Sequence, residues 1–225
     1  MTDQIELPDL AEGLLAAARE NEQFEVCLSR NRSTTVKAYL GQVESVRSGA
    51  SQAVGVRIVV NGRQGFATAG SLDPNVLNEV VEEARENLQF AERDPHQGIA
   101  DPDGVLPPGL DLSDRSVLRL TEEHRATIAI ELEQRCLSAD SRISGVRSSA
   151  WSDGWGEFAI ASTSGIAVYN EGGSCSVGVQ PLAVDGGETQ IGYAGDAARR
   201  PDELDLDRVV NEAVEDATGM LGATK

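Results

Sequence analysis

Two histidines, three cysteines and one strand arginine are the side chains of this 225-residue chain through which metal, nucleophilic or binding chemistry would run. A zinc site takes three or four His, Cys, Asp or Glu ligands at fixed geometry. His124 is followed by Arg125-Ala126-Thr127-Ile128, with neither a glutamate nor a second histidine at helical spacing, and His96 lies in a Pro- and Asp-rich stretch. The spacing assigns no metal ligand. Cys27, Cys136 and Cys175 are odd in number, widely separated and without a CxxC pair, so they read as reduced thiols rather than as a zinc ribbon or disulfide framework. Nucleophilic catalysis needs a Ser or Cys beside a base and an orienting group. Gly173-Ser174-Cys175-Ser176-Val177-Gly178 has the wrong spacing for a nucleophile elbow, lies in a predicted strand and has no histidine nearby in sequence. No catalytic residue is assigned, and no GK[ST] follows the glycines Gly49 to Gly70, so they form no phosphate loop. Arg57 is the one candidate contact residue. It points away from the Val54, Val56, Ile58 and Val60 set, either as a solvated arginine paired with Glu44 or as a contact to a bound peptide or partner subunit.

The elements that would position these residues follow from periodicity. Val54, Val56, Ile58 and Val60 alternate as in a half-buried strand, expected over Ala53–Asn61. Asn61-Gly62 supplies a two-residue hairpin turn, and Gly65 to Thr68 return as the partner strand. Asp73-Pro74 then opens a helix to Leu88, with Leu77, Val80, Val81 and Ala84 on one face. Upstream, a helix is expected from Asp9 to Asn21, then strands at Phe24–Ser29, Thr34–Leu40 and Gln42–Ser48. A second series starts with a helix at Glu122–Leu137 capped by Thr121. Strands follow at Ile143–Ser152, Trp155–Ser162, Ala167–Asn170, Ser174–Val184 and Thr189–Ala194, separated by glycine-rich turn signals, and a last helix carries Val209, Val210, Ala213 and Ala217. Trp151 and Trp155 flank the expected Asp153-Gly154 turn and read as core or interface packing.

The fold class is α+β: two consecutive units, each a helix plus an antiparallel β-meander. The expected division is a domain over residues 1–92, a Pro/Gly/Asp-rich linker over 93–115 and a second domain over 116–225. A net charge of −18 argues against nucleic acid and against anionic membranes. The acidic N-terminus lacks an apolar signal region and no run is long enough to span a bilayer, so a cytoplasmic location is expected.

Four segments together resemble the TldD/PmbA family of metallopeptidases, long called modulators of DNA gyrase. They are Phe24-Glu25-Val26-Cys27 after the opening helix, Val43-Glu44-Ser45 with Gly55-Val56-Arg57 and Gly65-Phe66-Ala67-Thr68, Ala161-Ser162-Thr163-Ser164-Gly165, and Gly192-Tyr193 with Ala198-Arg199-Arg200 and the Ala213 to Gly222 helix. Family members are about twice this long. Their HExxxH zinc motif, where intact, follows the point at which this chain ends, and in the PmbA branch it is commonly degenerate. The resemblance implies a zinc cofactor only for a full-length protein and assigns no catalytic, cofactor-binding or metal-binding residue to these 225. It also implies a peptide substrate drawn from unfolded chains and a homodimer or a TldD/PmbA-type heterodimer. The expectation is therefore the N-terminal, substrate-binding and assembly portion of such a peptidase, not catalytic by itself. The alternative is a non-catalytic PmbA-like module that binds a catalytic partner or a peptide.

Overall fold

The computed structural model describes residues 6–105 and 114–223. Among these described residues, four α-helices and an antiparallel sheet make an α+β fold. In chain order the elements are α1 (Leu7–Leu15), β1 (Gln23–Tyr39), β2 (Gln42–Val60), β3 (Arg63–Ala69), α2 (Pro74–Phe90), α3 (Glu122–Ala139), β4 (Ile143–Ser162), β5 (Ala167–Asp185), β6 (Glu188–Ile191), β7 (Ala194–Ala198) and α4 (Leu206–Gly219). The strands run in the order β3-β2-β1-β4-β5-β6, with β7 pairing β5.

The chain divides into two compact units. The first gathers Met1–Asn31, Ala50–Asp111 and Gly156–Glu171; the second gathers Arg32–Gly49, Leu112–Trp155 and Gly172–Lys225. Four long strands, β1, β2, β4 and β5, therefore each give residues to both units. Part of the expected linker, residues 106–113, lies outside the described residues; within the remainder His96 is exposed, whereas Ile99 is buried and its N–H donates to Gln23 Oε1 at 3.0 Å.

These long strands correct the shorter ones expected from sequence. The Ser152-Asp153-Gly154 and Glu171-Gly172-Gly173 signals do not turn the chain. Asp153 is held in mid-strand by Arg125, whose Nε and Nη2 reach its two carboxylate oxygens at 2.5 and 3.0 Å, and by Trp151 Nε1 at 2.7 Å. Gly173 is needed for close approach rather than for a turn: a Cβ there would lie 2.9 Å from the Val117 side chain. Likewise Phe24–Ser29 and Thr34–Leu40 fuse into β1, and Gln42–Ser48 and Ala53–Asn61 into β2. The expected Thr189–Ala194 strand instead divides into β6 and β7. The first helix starts earlier than expected, since Pro8 suits its first turn, and stops sooner, as the N–H groups of Ala16, Ala17 and Ala18 bond to the carbonyls three residues back. The caps at Asp73 and Thr121 form as the sequence indicates, Asp73 accepting from Asn75 N and Thr121 from His124 N.

In the first unit α2 lies on β3, and Leu77, Val80, Val81 and Ala84 meet Val54, Val56, Ile58 and Ala67 in a core completed by Phe24, Val26 and Leu28. The second unit has its own core, in which Ala129, Leu132 and Cys136 of α3 and Val209, Val210, Ala213 and Ala217 of α4 surround Trp151, Val177 and Val179. Each unit brings one helix onto a strand through a glycine. A Cβ on Gly65 would fall 1.9 Å from Ala84 O and 2.7 Å from Leu88 N; on Gly192 it would fall 2.2 Å from Ala213 O and 2.5 Å from Ala217 N.

Two carboxylates fix the ends of these elements. Glu133 of α3, 1% exposed, accepts the backbone N–H groups of Leu40 and Gly41, each at 2.8 Å. Those two residues form the β1–β2 turn with φ of 53° and 73°. In the first unit Glu22 accepts from Arg85 Nε and Nη2, both at 2.9 Å, and this bond above all holds its carboxyl below the ordinary range.

Glu133→Ala removes a charged acceptor from two donors and should lower stability by about 2–3 kcal/mol in urea unfolding. Gly65→Ala and Gly192→Ala should each cost about 2–3 kcal/mol through overpacking against helix backbone. Because the folded Glu22 value is depressed, its contribution is present above the ordinary carboxylate value of about 4.3 and is lost as pH falls through the folded value. Glu22→Gln should therefore show a shallower fall of stability with acid than the parent chain, measured by urea midpoints at successive pH values.

Candidate functional site

The open face of the second unit's sheet is built from small side chains. Two residues before and after the Leu40-Gly41 turn flanks, Lys37 of β1 and Glu44 of β2 stand opposite each other on one face. On β4 the same face carries Ala150 and Ser152, the latter within hydrogen-bonding distance of Thr35 at 3.1 Å between hydroxyl oxygens. On β5 and β7 the register pairs Ser176 with Ala197 and Gly178 with Gly195. These residues leave a trough of about 820 Å³ crossing the strands from Glu44 to Tyr193, with Arg147, Ser148 and Gln180 along it.

Tyr193 forms one wall. Its backbone N–H donates to Asp216 Oδ2 of α4 at 3.0 Å, which fixes the start of the side chain. Its hydroxyl oxygen lies 2.9 Å from the position a Cβ would take on Gly195 and 3.5 Å from that on Gly178, so the two glycines let it lie close to the sheet. The residue is still 61% exposed.

Among the described residues Lys37 and Arg147 have no ion-pair partner, and the Tyr193 hydroxyl has no hydrogen-bond partner. Asp196 at the far end is engaged: it accepts from the N–H groups of Asp205 and Ala197 at 2.9 and 3.0 Å and pairs with Arg208 at 2.7 Å. The Asp205 N–H, above all, holds the Asp196 carboxyl below its ordinary range. The free groups along the trough are thus mainly donors, Glu44 being the exception.

The residues singled out by sequence fall elsewhere. Arg57 is in the first unit, where Nε and Nη2 reach Glu25 Oε1 at 3.1 and 3.0 Å. The expected pairing with Glu44 is not formed, because Glu44 sits near the β1–β2 turn opposite Lys37 while Arg57 lies far along β2 beside the opening of β1. His96 and His124 are exposed and belong to different units. Burial pushes the Cys136 and Cys175 thiols up to about 11, which keeps both protonated at neutral pH, and it also raises Cys27. These residues do not fit a zinc ion, and no metal step is derived from them. Trp151 is fully buried; Trp155 is partly buried, with the Arg115 guanidinium 5.9 Å from its ring centroid. Lys37 and Arg147 escaped the sequence reading, since lone polar residues between small ones carry no motif, and Tyr193 entered it only as part of the Gly192-Tyr193 segment of the family resemblance.

An antiparallel sheet with helices and one open, donor-rich face defines an α+β protein with a broad polar trough rather than a closed metal centre. The chain belongs to the PmbA/TldD metallopeptidase family: residues 24–88 match the family described as PmbA/TldA metallopeptidase domain 1, and residues 115–221 match its central domain. It is similar to the metalloprotease PmbA of Escherichia coli O157:H7, 22% identical over 188 residues, which cover 84% of this chain and 42% of that protein. A metalloprotease PmbA homologue from Haemophilus influenzae is 24% identical over 127 residues, covering 56% and 28%. The fold is similar to that of a modulator of DNA gyrase from Thermotoga maritima (TM-score 0.85, 17% identity, 96% of this chain and 49% of that one). It is also similar to TldE from Thermococcus kodakarensis (TM-score 0.72, 18% identity, 93% and 46%). The chain thus spans less than half the length of these relatives. Among the described residues no helix is long and apolar enough to cross a membrane.

A maleimide at pH 7 should label Cys27, which is exposed, in the folded chain, though more slowly than a free thiol because its value is raised, and Cys136 and Cys175, at most 2% exposed, only on unfolding. Mass spectrometry of native and urea-treated chain reads this directly.

Proposed function

We propose that this chain is the substrate-binding and assembly portion of a TldD/PmbA-type zinc metallopeptidase that acts on unfolded peptides, and that it is not catalytic by itself. The observation that carries this reading is the trough on the second unit's sheet. It has a volume of about 820 Å³, its floor of Ala150, Ser148, Ser176 and Gly178 leaves room for a backbone, and Lys37, Arg147 and Tyr193 offer free donors along it. A peptide has unpaired carbonyls to offer such a surface. Zinc, bound by a family region bearing the intact motif, would polarise the scissile carbonyl and activate water; the residues of this chain hold and orient the peptide.

Assembly with a second family chain, as a homodimer or a TldD/PmbA-type heterodimer, accompanies this role. Arg57 is a contact point for such a partner or for peptide: Glu25 engages it through one oxygen, the guanidinium has five donors, and its side chain is 29% exposed. The location proposed is the cytoplasm, where free cysteines stay reduced.

The test is fluorescence anisotropy with a labelled unfolded decapeptide, followed by mass spectrometry of the same mixture with and without added zinc. Saturable binding without cleavage is expected. Cleavage by this chain alone would overturn the non-catalytic role, and absence of binding would overturn the substrate-binding one.

A further inference from the structure

We propose that the trough of the second unit is a receptor for the C-terminal carboxylate of the peptide, held between Lys37 and Arg147. This rests on the peptide-binding reading above and adds which end of the peptide is recognised and by which residues.

The argument begins with the inventory of free groups. Arginine and lysine are donors only, and a carboxylate accepts only. Lys37 on β1 and Arg147 on β4 belong to neighbouring strands, both are exposed, and neither is paired among the described residues. The hydroxyls of Ser148 and Ser176 and the Tyr193 hydroxyl add three further donors. Of the two acids along the trough, Asp196 is already engaged by two N–H groups and Arg208. Glu44 stands at the opposite end, beside Lys37, where it offsets one positive charge. The lining thus carries two cations and two acids; with Asp196 engaged elsewhere and Glu44 set beside Lys37, Arg147 is the charge left uncompensated, in a chain whose net charge is −18.

That overall charge selects among anions. A nucleic acid or polyphosphate brings many charges and would be repelled by the protein as a whole. A single carboxylate meets the local cations with little long-range cost, because exposed charges beyond about 10 Å are screened at ordinary ionic strength. A guanidinium also matches a carboxylate in a two-pronged, charge-assisted geometry.

Spacing sets how much peptide is held. From β4 across β5 to β7 is two strand intervals, roughly 10 Å at about 4.8 Å each, or about three extended residues. With the carboxylate at Lys37 and Arg147, the last three residues cross the floor at Ser176 and Gly178, and the third meets the Tyr193 ring. Apart from Gln180 the floor along this path is made of Ser148, Ser176 and Gly178, so recognition falls on the terminus more than on residue identity.

The experiment compares one labelled hexapeptide as the free acid and as the C-terminal amide, together with an amide carrying an internal glutamate, by anisotropy at two salt concentrations. The expected result is about tenfold tighter binding of the free acid, weakened by salt. In a Lys37→Gln, Arg147→Gln double variant of unchanged circular dichroism and melting temperature, acid and amide should bind alike. Equal binding of acid and simple amide to the parent chain overturns the inference while leaving the peptide-binding reading intact. So does an internal-glutamate amide that binds as well as the free acid, which would move recognition to an acidic side chain. Failure of every peptide to bind overturns both.

Discussion

A carboxylate with almost no solvent holds the second unit together. Glu133 lies inside α3 and, among the described residues, pairs with no arginine or lysine; it accepts the two N–H groups of the β1–β2 turn. An uncompensated buried charge would be costly, so helix and turn must meet in one register. That register puts Ala38 into the core and, one residue earlier, Lys37 onto the open face. The positive φ at Leu40 is part of the same arrangement: a bulky residue is held in a left-handed turn because its N–H is needed where it is. The trough inherits its geometry from a contact on the other side of the sheet.

Arg125 does for β4 what Glu133 does for the turn. Its guanidinium takes Asp153 with two nitrogens and the carbonyls of Leu120 and Val117 with Nη1 and Nη2. Trp151 adds its indole N–H to the same carboxylate. An Asp-Gly pair that would ordinarily turn a chain is thereby kept extended, and β4 runs on into the first unit. Long strands and buried polar anchors are two sides of one solution.

This explains which parts of the molecule were legible. Amphipathic helices and their caps at Asp73 and Thr121 depend on neighbours within one turn, and the sequence displays them. The Asn61-Gly62 hairpin is equally local, with φ of 51° and 74° as such a turn requires. The glycines at 154 and 173 were misleading because their role is set by residues far away in sequence, Val117 against Gly173 for example. The trough was invisible for the same reason. Lys37 comes from β1, Arg147 from β4 and Tyr193 from the connection between β6 and β7, and nothing in the order of residues reveals that small side chains open the space between them. Arg57 was legible as a strand arginine, but its partner was not, since the choice of Glu25 over Glu44 follows from strand register.

The interleaving of the two compact units has an evolutionary side. Because β1, β2, β4 and β5 each serve both, no single crossover in the gene can exchange one unit and leave the other untouched. A graft that replaced residues 32–49, for instance, would import the turn that Glu133 must fit as well as the lysine of the trough. Exchange of one segment therefore disturbs both cores, whereas point substitution of exposed side chains on the open face leaves them intact.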